Sequence, residues 1–268
     1  MGILLSWVNH TDAAATVLFS DNEASGLPIA RIQTPQIADV FRSGSWGSAT
    51  PCTIAIDFGS DKTFEMIALQ APRDGVLPAP GASVTRLAIG VSTQAAGNGA
   101  NDALFVNYHD IGDRMADYGL YVYQAASPVT GRYVNLVFVN NGTASYLQLG
   151  RVWIGETLIT TRNASLGASL GASDPGVNVR ANPSGVRDTQ EGTAYRQMAL
   201  IVNTLTLAEA AIIRSIQVSR GSTRQVFCAE IDTQAETTGF FGNFTRAPTL
   251  TRVAPLLYKA DFTIEEDL

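Results

Sequence analysis

The chain has 268 residues, of which 46% are hydrophobic and only 16% charged, and it carries a net charge of −6. That length suffices for two cores at roughly 150 residues each, and the apolar content excludes a disordered chain. The negative balance, with Lys62 and Lys259 as the only lysines, excludes nucleic-acid binding through clustered positive charge, and a charge content below the ~25% of an average domain implies a Thr/Ser/Asn/Gln-rich surface suited to burial against neighbours.

The opening residues, Met1 to Asp12, have no basic n-region and only a short apolar run, Ile3 to Leu5. They do not read as a signal peptide, and no stretch of ~20 apolar residues predicts a membrane span. From Thr16 to Leu158 the sequence is a series of β-like runs separated by turn residues. Thr53 to Phe58 alternates, with Ile54, Ile56 and Phe58 on one face. Phe64 to Leu69 is apolar on both faces, as a central strand is. Thr85 to Val91 alternates through Leu87, Ile89 and Val91, and Arg132 to Val139 through Val134, Leu136 and Phe138. Leu147 to Ile154 closes the set. Period-2 runs divided by Gly, Pro, Asn and Ser predict a sandwich or barrel over residues 1–158. The connections at Pro72 to Ser83 and Thr93 to Ala103 are long, which marks them as functional or mobile.

Between Ile159 and Gly185 the composition shifts to two successive LGAS segments followed by Asp174-Pro175-Gly176 and Asn182-Pro183-Ser184-Gly185. This stretch, 159–185, reads as a linker. Residues 186–268 then read as a small α+β or split-barrel domain with one helix, about 207–219. Thr206 and Glu209 form its capping box, Leu207, Ala208, Ala211, Ile212 and Ile216 recur at helical spacing, and Gly221 ends it. Strands are expected at Arg196 to Val202, Arg224 to Ile231 and Leu256 to Ile264.

Catalytic chemistry is hard to place. His10 and His109 are the only histidines, and neither sits in a nucleophile or relay motif. Asp110, Asp113 and Asp117 form a solvated loop without EF-hand spacing, and Glu265, Glu266 and Asp267 form an acidic tail. Cys52 and Cys228 stand far apart and read as small buried residues, with no zinc or disulfide framework. No enzyme activity, metal or cofactor is expected. Two sets of residues are candidates for binding. Arg42 and Trp46, in a Ser/Gly-rich loop, and Arg73, opening the next long loop, could grip a glycan; alternatively Trp46 caps the core and Arg42 braces a loop. Phe240, Phe241 and Phe244 around Gly242 form either an exposed partner contact or a turn folded back into the small domain's core.

Taken together, Ala24 to Gln33 running into Val40-Phe41-Arg42-Ser43, then Thr53 to Ser60, Phe64 to Leu69, Arg132 to Leu136 and Leu149 to Gly155 resemble the strand phrasing of discoidin-like (galactose-binding-like) jelly-roll domains. The chain departs from sugar-binding discoidins in lacking their paired disulfide cysteines. The C-terminal half, with Arg196 to Gln217, Val226-Phe227, Gly239 to Asn243 and the closing Tyr258 to Glu266, is similar to bacteriophage tail-tip (distal tail, baseplate) proteins. That resemblance implies a structural virion protein made in the bacterial host cytoplasm. By the same resemblance its small domain would form a homo-oligomeric ring, a hexamer in the family, at the distal end of the tail tube, joined to hub or fibre proteins. The alternative implied is a glycan-binding module for host-surface attachment.

Overall fold

The computed structural model describes residues 2–44, 51–72, 85–94, 102–111, 115, 119–140, 146–165, 168–180, 187–190 and 192–267. In chain order the elements are β1 (Leu4–Ser6), β2 (Val17–Ser20), β3 (Phe41–Arg42), β4 (Cys52–Gln70), β5 (Thr85–Ser92), β6 (Leu104–Asp110), β7 (Leu120–Asn140), β8 (Gln148–Leu149), β9 (Arg151–Gly155) and β10 (Leu158–Ile159). They continue with β11 (Ser169–Ser173), β12 (Val177–Arg180), β13 (Arg187–Gln190), β14 (Tyr195–Leu205), α1 (Leu207–Arg220), β15 (Val226–Ala229), α2 (Ala235–Thr238), β16 (Phe240–Ala254) and β17 (Leu257–Glu266). The chain is mainly β, and its strand pairs are antiparallel. It divides into two compact units: a larger one of residues 5–158 with 234–239, and a smaller one of residues 1–4, 159–233 and 240–267.

The larger unit is a sandwich made largely by two long strands. β4 pairs with β7 from Cys52↔Phe138 to Gln70↔Leu120, with register shifts between Asp57 and Lys62 and between Phe64 and Met66. At the first shift both strands turn from one layer to the other. The Cys52 half of β4 pairs with β2, and the facing half of β7 with β5, whose far side carries β6. The Gln70 half of β4 pairs with β9. Alternation then assigns the faces. Ile54, Ile56, Phe58, Val134, Leu136, Phe138, Leu87, Ile89 and Val91 from one layer share a single core with Phe64, Ile67, Leu69, Val152 and Ile154 from the other. The runs at Thr53 to Phe58 and Phe64 to Leu69, expected as two strands, are the two halves of β4.

A chain of hydrogen bonds shows that both ends of β4 lie at the same end of this sandwich. Asp21 N donates to Thr53 O (3.3 Å), Gly44 N to Asn22 O (3.3 Å), Ser43 N to Leu147 O (2.9 Å) and Gly150 N to Gln70 O (2.8 Å). The outer face of the β9 layer holds an ion pair whose cation is buried and whose carboxylate, Asp12, reaches the surface. Arg151, fully buried, donates from Nη1 to Asp12 Oδ1 at 2.8 Å and to Ile32 O at 3.2 Å, and its Nη2 pairs with Asp12 Oδ2. Burial pushes the Asp12 carboxyl above its ordinary range and outweighs the lowering effect of Arg151.

In the smaller unit, β15, β16, β17, β14 and β11 lie side by side in that order. Segment 159–185, expected as a linker, contributes β11 to this sheet, where it pairs with β14 from Ser169↔Ala199 to Ser173↔Tyr195, and β12 pairs with β13 across the expected boundary at 185 as a separate two-stranded ladder. Period-2 logic missed β11 because its residues, Ser-Leu-Gly-Ala-Ser, are small and mostly exposed. The helix forms as expected. Thr206 and Glu209 cap each other's backbone N–H groups, and Gly221, at φ 58°, ends it. Its buried face differs from the expected one: Glu209, Ala210, Ile213 and Ile216 are buried, whereas Leu207 is 52% exposed. Glu209 is held at the face because it also accepts from Thr161 N at 2.6 Å. Burial opposes its charge, yet the Thr161 and Thr206 donors prevail and hold the carboxyl below its ordinary range.

Phe240, Phe241 and Phe244 are 0%, 0% and 2% exposed, which corrects the reading of an exposed partner loop. They open β16 and do not sit in a turn. Gly242 sits among them because a Cβ there would lie 2.1 Å from Glu265 O, so only glycine lets β16 approach β17 this closely. Phe241 packs on Phe227 at 5.1 Å between centroids, and Phe244 meets Phe262 edge-on at 5.9 Å.

Candidate functional site

At the end of the sandwich where β4 begins and finishes, the short β3–β8 ladder forms a rim. Phe41 pairs with Leu149 and Arg42 with Gln148. Strand alternation sends Phe41 into the core, fully buried, and leaves the Arg42 side chain half-buried on the opposite face. The Arg42 backbone is fixed on its other edge, where its N–H donates to Leu27 O at 3.2 Å and its carbonyl accepts from Ala24 N at 2.9 Å. Beyond the ladder Ser43 and Leu147 lock together: Ser43 N donates to Leu147 O, and Leu147 N to Ser43 Oγ at 2.9 Å. That lock places half-buried Tyr146 beside Arg42, whose guanidinium carbon lies 4.4 Å from the centroid of the phenol ring. Asn22 completes the rim against Gly44, where a Cβ would come within 2.5 Å of Asn22 Oδ1.

A guanidinium stacked at this distance is a cation–π contact. It presents a flat face with fixed N–H donors next to an apolar ring, a combination that grips a ligand having both hydroxyl groups and C–H faces. Of the residues expected to bind a ligand, the structure places Arg42 here. Trp46 and Arg73 lie outside the described residues. Tyr146 is the residue that sequence reading missed. Its signal, an aromatic residue immediately before the closing apolar run at Leu147, has no meaning until β8 is paired with β3.

Of the groups considered for catalysis, His10 and the two cysteines are packed inside. His10 is buried, with Nε2 3.1 Å from Thr63 O and its ring edge-on to Phe58 at 5.8 Å. His109 Nδ1 lies 3.1 Å from Asn107 O, and its Nε2 meets the hydroxyl of buried Tyr121. Asp110 ends β6 opposite Arg86, whereas Asp113 and Asp117 lie outside the described residues. Both cysteines are buried and free. Burial pushes the Cys52 thiol up to about 12, and it raises that of Cys228 as well. Among the described residues no group of three or more His, Cys, Asp or Glu side chains is placed to hold a metal ion.

No protein-family model and no curated protein matches the sequence. Solved structures with a similar backbone include the family 32 carbohydrate-binding module of Clostridium perfringens NanJ in complex with galactose (11% identity, TM-score 0.42, covering 57% of this chain and 99% of that one). The lectin binding domain of lectinolysin, complexed with Lewis b, is similar at 12% identity and TM-score 0.42 over 55% of this chain and 95% of that one. Chitosan-binding module 1 of a chitosanase/glucanase from Paenibacillus sp. IK-5 is similar at 19% identity and TM-score 0.42 over 55% of this chain and 98% of that one. At such identities no rim residue is carried between the chains.

Proposed function

We propose that the larger unit is a non-catalytic glycan-binding module whose site is the rim built by Arg42 and Tyr146. The observation that supports this reading is the guanidinium held 4.4 Å over the phenol ring, at the one end of the sandwich to which both ends of β4 return. The ring supplies a stacking surface for the C–H face of a pyranose, and the guanidinium supplies donors to its hydroxyls. Neither group is buried deeply enough to be a core requirement. Titration of isotope-labelled protein with neutral and acidic mono- and disaccharides tests it. Sugar-dependent shifts should centre on Tyr146 and the Arg42 side chain, and Arg42→Ala or Tyr146→Ala should weaken binding by about tenfold or more. A panel without shifts, or variants that bind as well as the parent, would sink the reading.

A second reading, assembly into a phage tail tip through the smaller unit, is favoured by the turn between β16 and β17. Val253, Leu256 and Leu257 are 52%, 64% and 38% exposed there, and Leu256 adopts φ 62°, a conformation that strains a bulky residue. A strained apolar tip suits insertion into a neighbouring subunit or tail component. Light scattering at high concentration separates the cases, because a ring that disappears in Leu256→Asp supports assembly and a stable monomer that ignores isolated tail components removes it.

A further inference from the structure

The outer face of the larger unit's β2–β4–β7–β5–β6 layer carries a second feature, distant in sequence from the rim residues. Strand register aligns Phe19 with Ala55, Ala55 with Asn135, Asn135 with Gly90, and Gly90 with Phe105. The core takes Ile54, Ile56, Val134, Leu136, Ile89 and Val91, so alternation turns this row outward. The row runs across all five strands. Its two ends are large aromatic residues left open, Phe19 at 62% and Phe105 at 59% exposure. Between them the floor is built from small residues. Four strand spacings separate the two phenylalanines, roughly 19 Å at ~4.8 Å each.

Three properties of this row point to a ligand and to its kind. Gly90 stands in the interior of β5, where glycine weakens a strand and marks a place of close approach. The half-buried side-chain amide of Asn135, at the centre, has no hydrogen-bond partner among the described residues. The row itself has no charge, and the nearest charged pair on this face, Asp57 and Arg132, is committed to itself at 2.7 Å. A trough with an aromatic ring at each end, an unengaged amide in the middle and no charge matches a neutral polymer with alternating C–H faces and hydroxyls. A charged peptide or an anionic surface finds no counter-charge in it.

We propose that this trough binds a neutral polysaccharide chain lying across the strands. Phe19 and Phe105 stack on two sugar units of one chain, and the Asn135 amide hydrogen-bonds to hydroxyls between them. The proposal rests on the glycan-binding reading but uses none of the rim residues. The separation of the two rings makes it specific for length: a disaccharide reaches one ring, whereas a longer oligosaccharide reaches both.

Calorimetry and retardation in native gels containing galactan, xyloglucan, galactomannan or laminarin test it on the whole chain, alongside the matching di- and hexasaccharides. Affinity for at least one series should rise with chain length. Phe19→Ala/Phe105→Ala should lose about tenfold or more for the hexasaccharide while keeping the parent's melting temperature and its disaccharide binding. Asn135→Ala should give an intermediate loss. Arg42→Ala/Tyr146→Ala serves as the control: it should abolish disaccharide binding and leave polymer retardation largely in place. An inert Phe19/Phe105 double variant overturns the trough alone, whereas an inert Arg42/Tyr146 double variant overturns the rim alone. Absence of any polymer or hexasaccharide binding by the parent also overturns the trough. So does a parent dimer dissolved by the Phe19/Phe105 changes, because the face then belongs to a second copy.

Discussion

The two units treat their phenylalanines in opposite ways. In the smaller unit Phe240, Phe241 and Phe244 crowd into five consecutive positions and are all buried. In the larger unit Phe19 and Phe105 are 86 positions apart in sequence, stand in one row, and remain mostly open. Neighbouring residues on a strand point to opposite faces, so burial of both Phe240 and Phe241 means that β16 is covered on both sides there. β2 and β6 carry their phenylalanines on a face where both side chains stay more than half exposed. A cluster of aromatic residues in sequence is therefore a poor guide to exposure, and alignment of isolated ones by register is a better one.

The comparison predicts unequal costs. Phe240→Ala should destabilise the smaller unit by about 3–5 kcal/mol, as expected of a large buried side chain. Phe19→Ala should change stability by no more than about 0.5 kcal/mol. Denaturant unfolding of the two variants checks this, and equal losses would break the distinction. The same contrast separates two ion pairs of the larger unit. Arg151→Ala removes a fully buried guanidinium with its hydrogen bonds to Asp12 and Ile32 O, and because the Asp12 side chain is 35% exposed and can hydrate, the expected loss is about 1.5–3 kcal/mol. Arg132→Ala acts on a pair whose side chains are 38% and 29% exposed, so the loss should stay below about 1 kcal/mol even though hydrogen bonds from Arg132 hold Asp57 below its ordinary range.

A smaller effect sharpens the picture of the smaller unit. The folded state holds the Glu209 carboxyl below its ordinary range. A depressed carboxyl contributes stability that is present above the unfolded pKa and is lost as pH falls through the folded one. Glu209→Gln should cost about 1 kcal/mol at neutral pH and flatten the acid limb of the unit's stability curve. Parallel stability–pH curves for parent and variant would show that Glu209 carries no such linkage.

Much of the fold was legible because it depends on local rules. Period-2 alternation in Thr53 to Phe58, Thr85 to Val91 and Arg132 to Val139 predicted which side chains enter the core, and the Thr206–Glu209 box located the helix. The candidate site was legible only at Arg42, and then as one of two readings. Its partner Tyr146 lies 104 positions away, and the two meet only because Arg42 pairs with Gln148. The helix face shifted for a comparable reason, since a donor at Thr161 holds Glu209 inward and leaves Leu207 outside.

By itself, then, the sequence determined the strand periodicity, the cap of α1 and the scarcity of charge, all of which act between neighbours in the chain. Tertiary structure alone decided that β4 and β7 bend across both layers, that residues 169–173 join a sheet, and that Phe240, Phe241 and Phe244 are interior. It also decided that Phe19, Ala55, Asn135, Gly90 and Phe105 form one row. The physical reason is that long-range strand register, which no local pattern encodes, sets which residues share a face and what covers it.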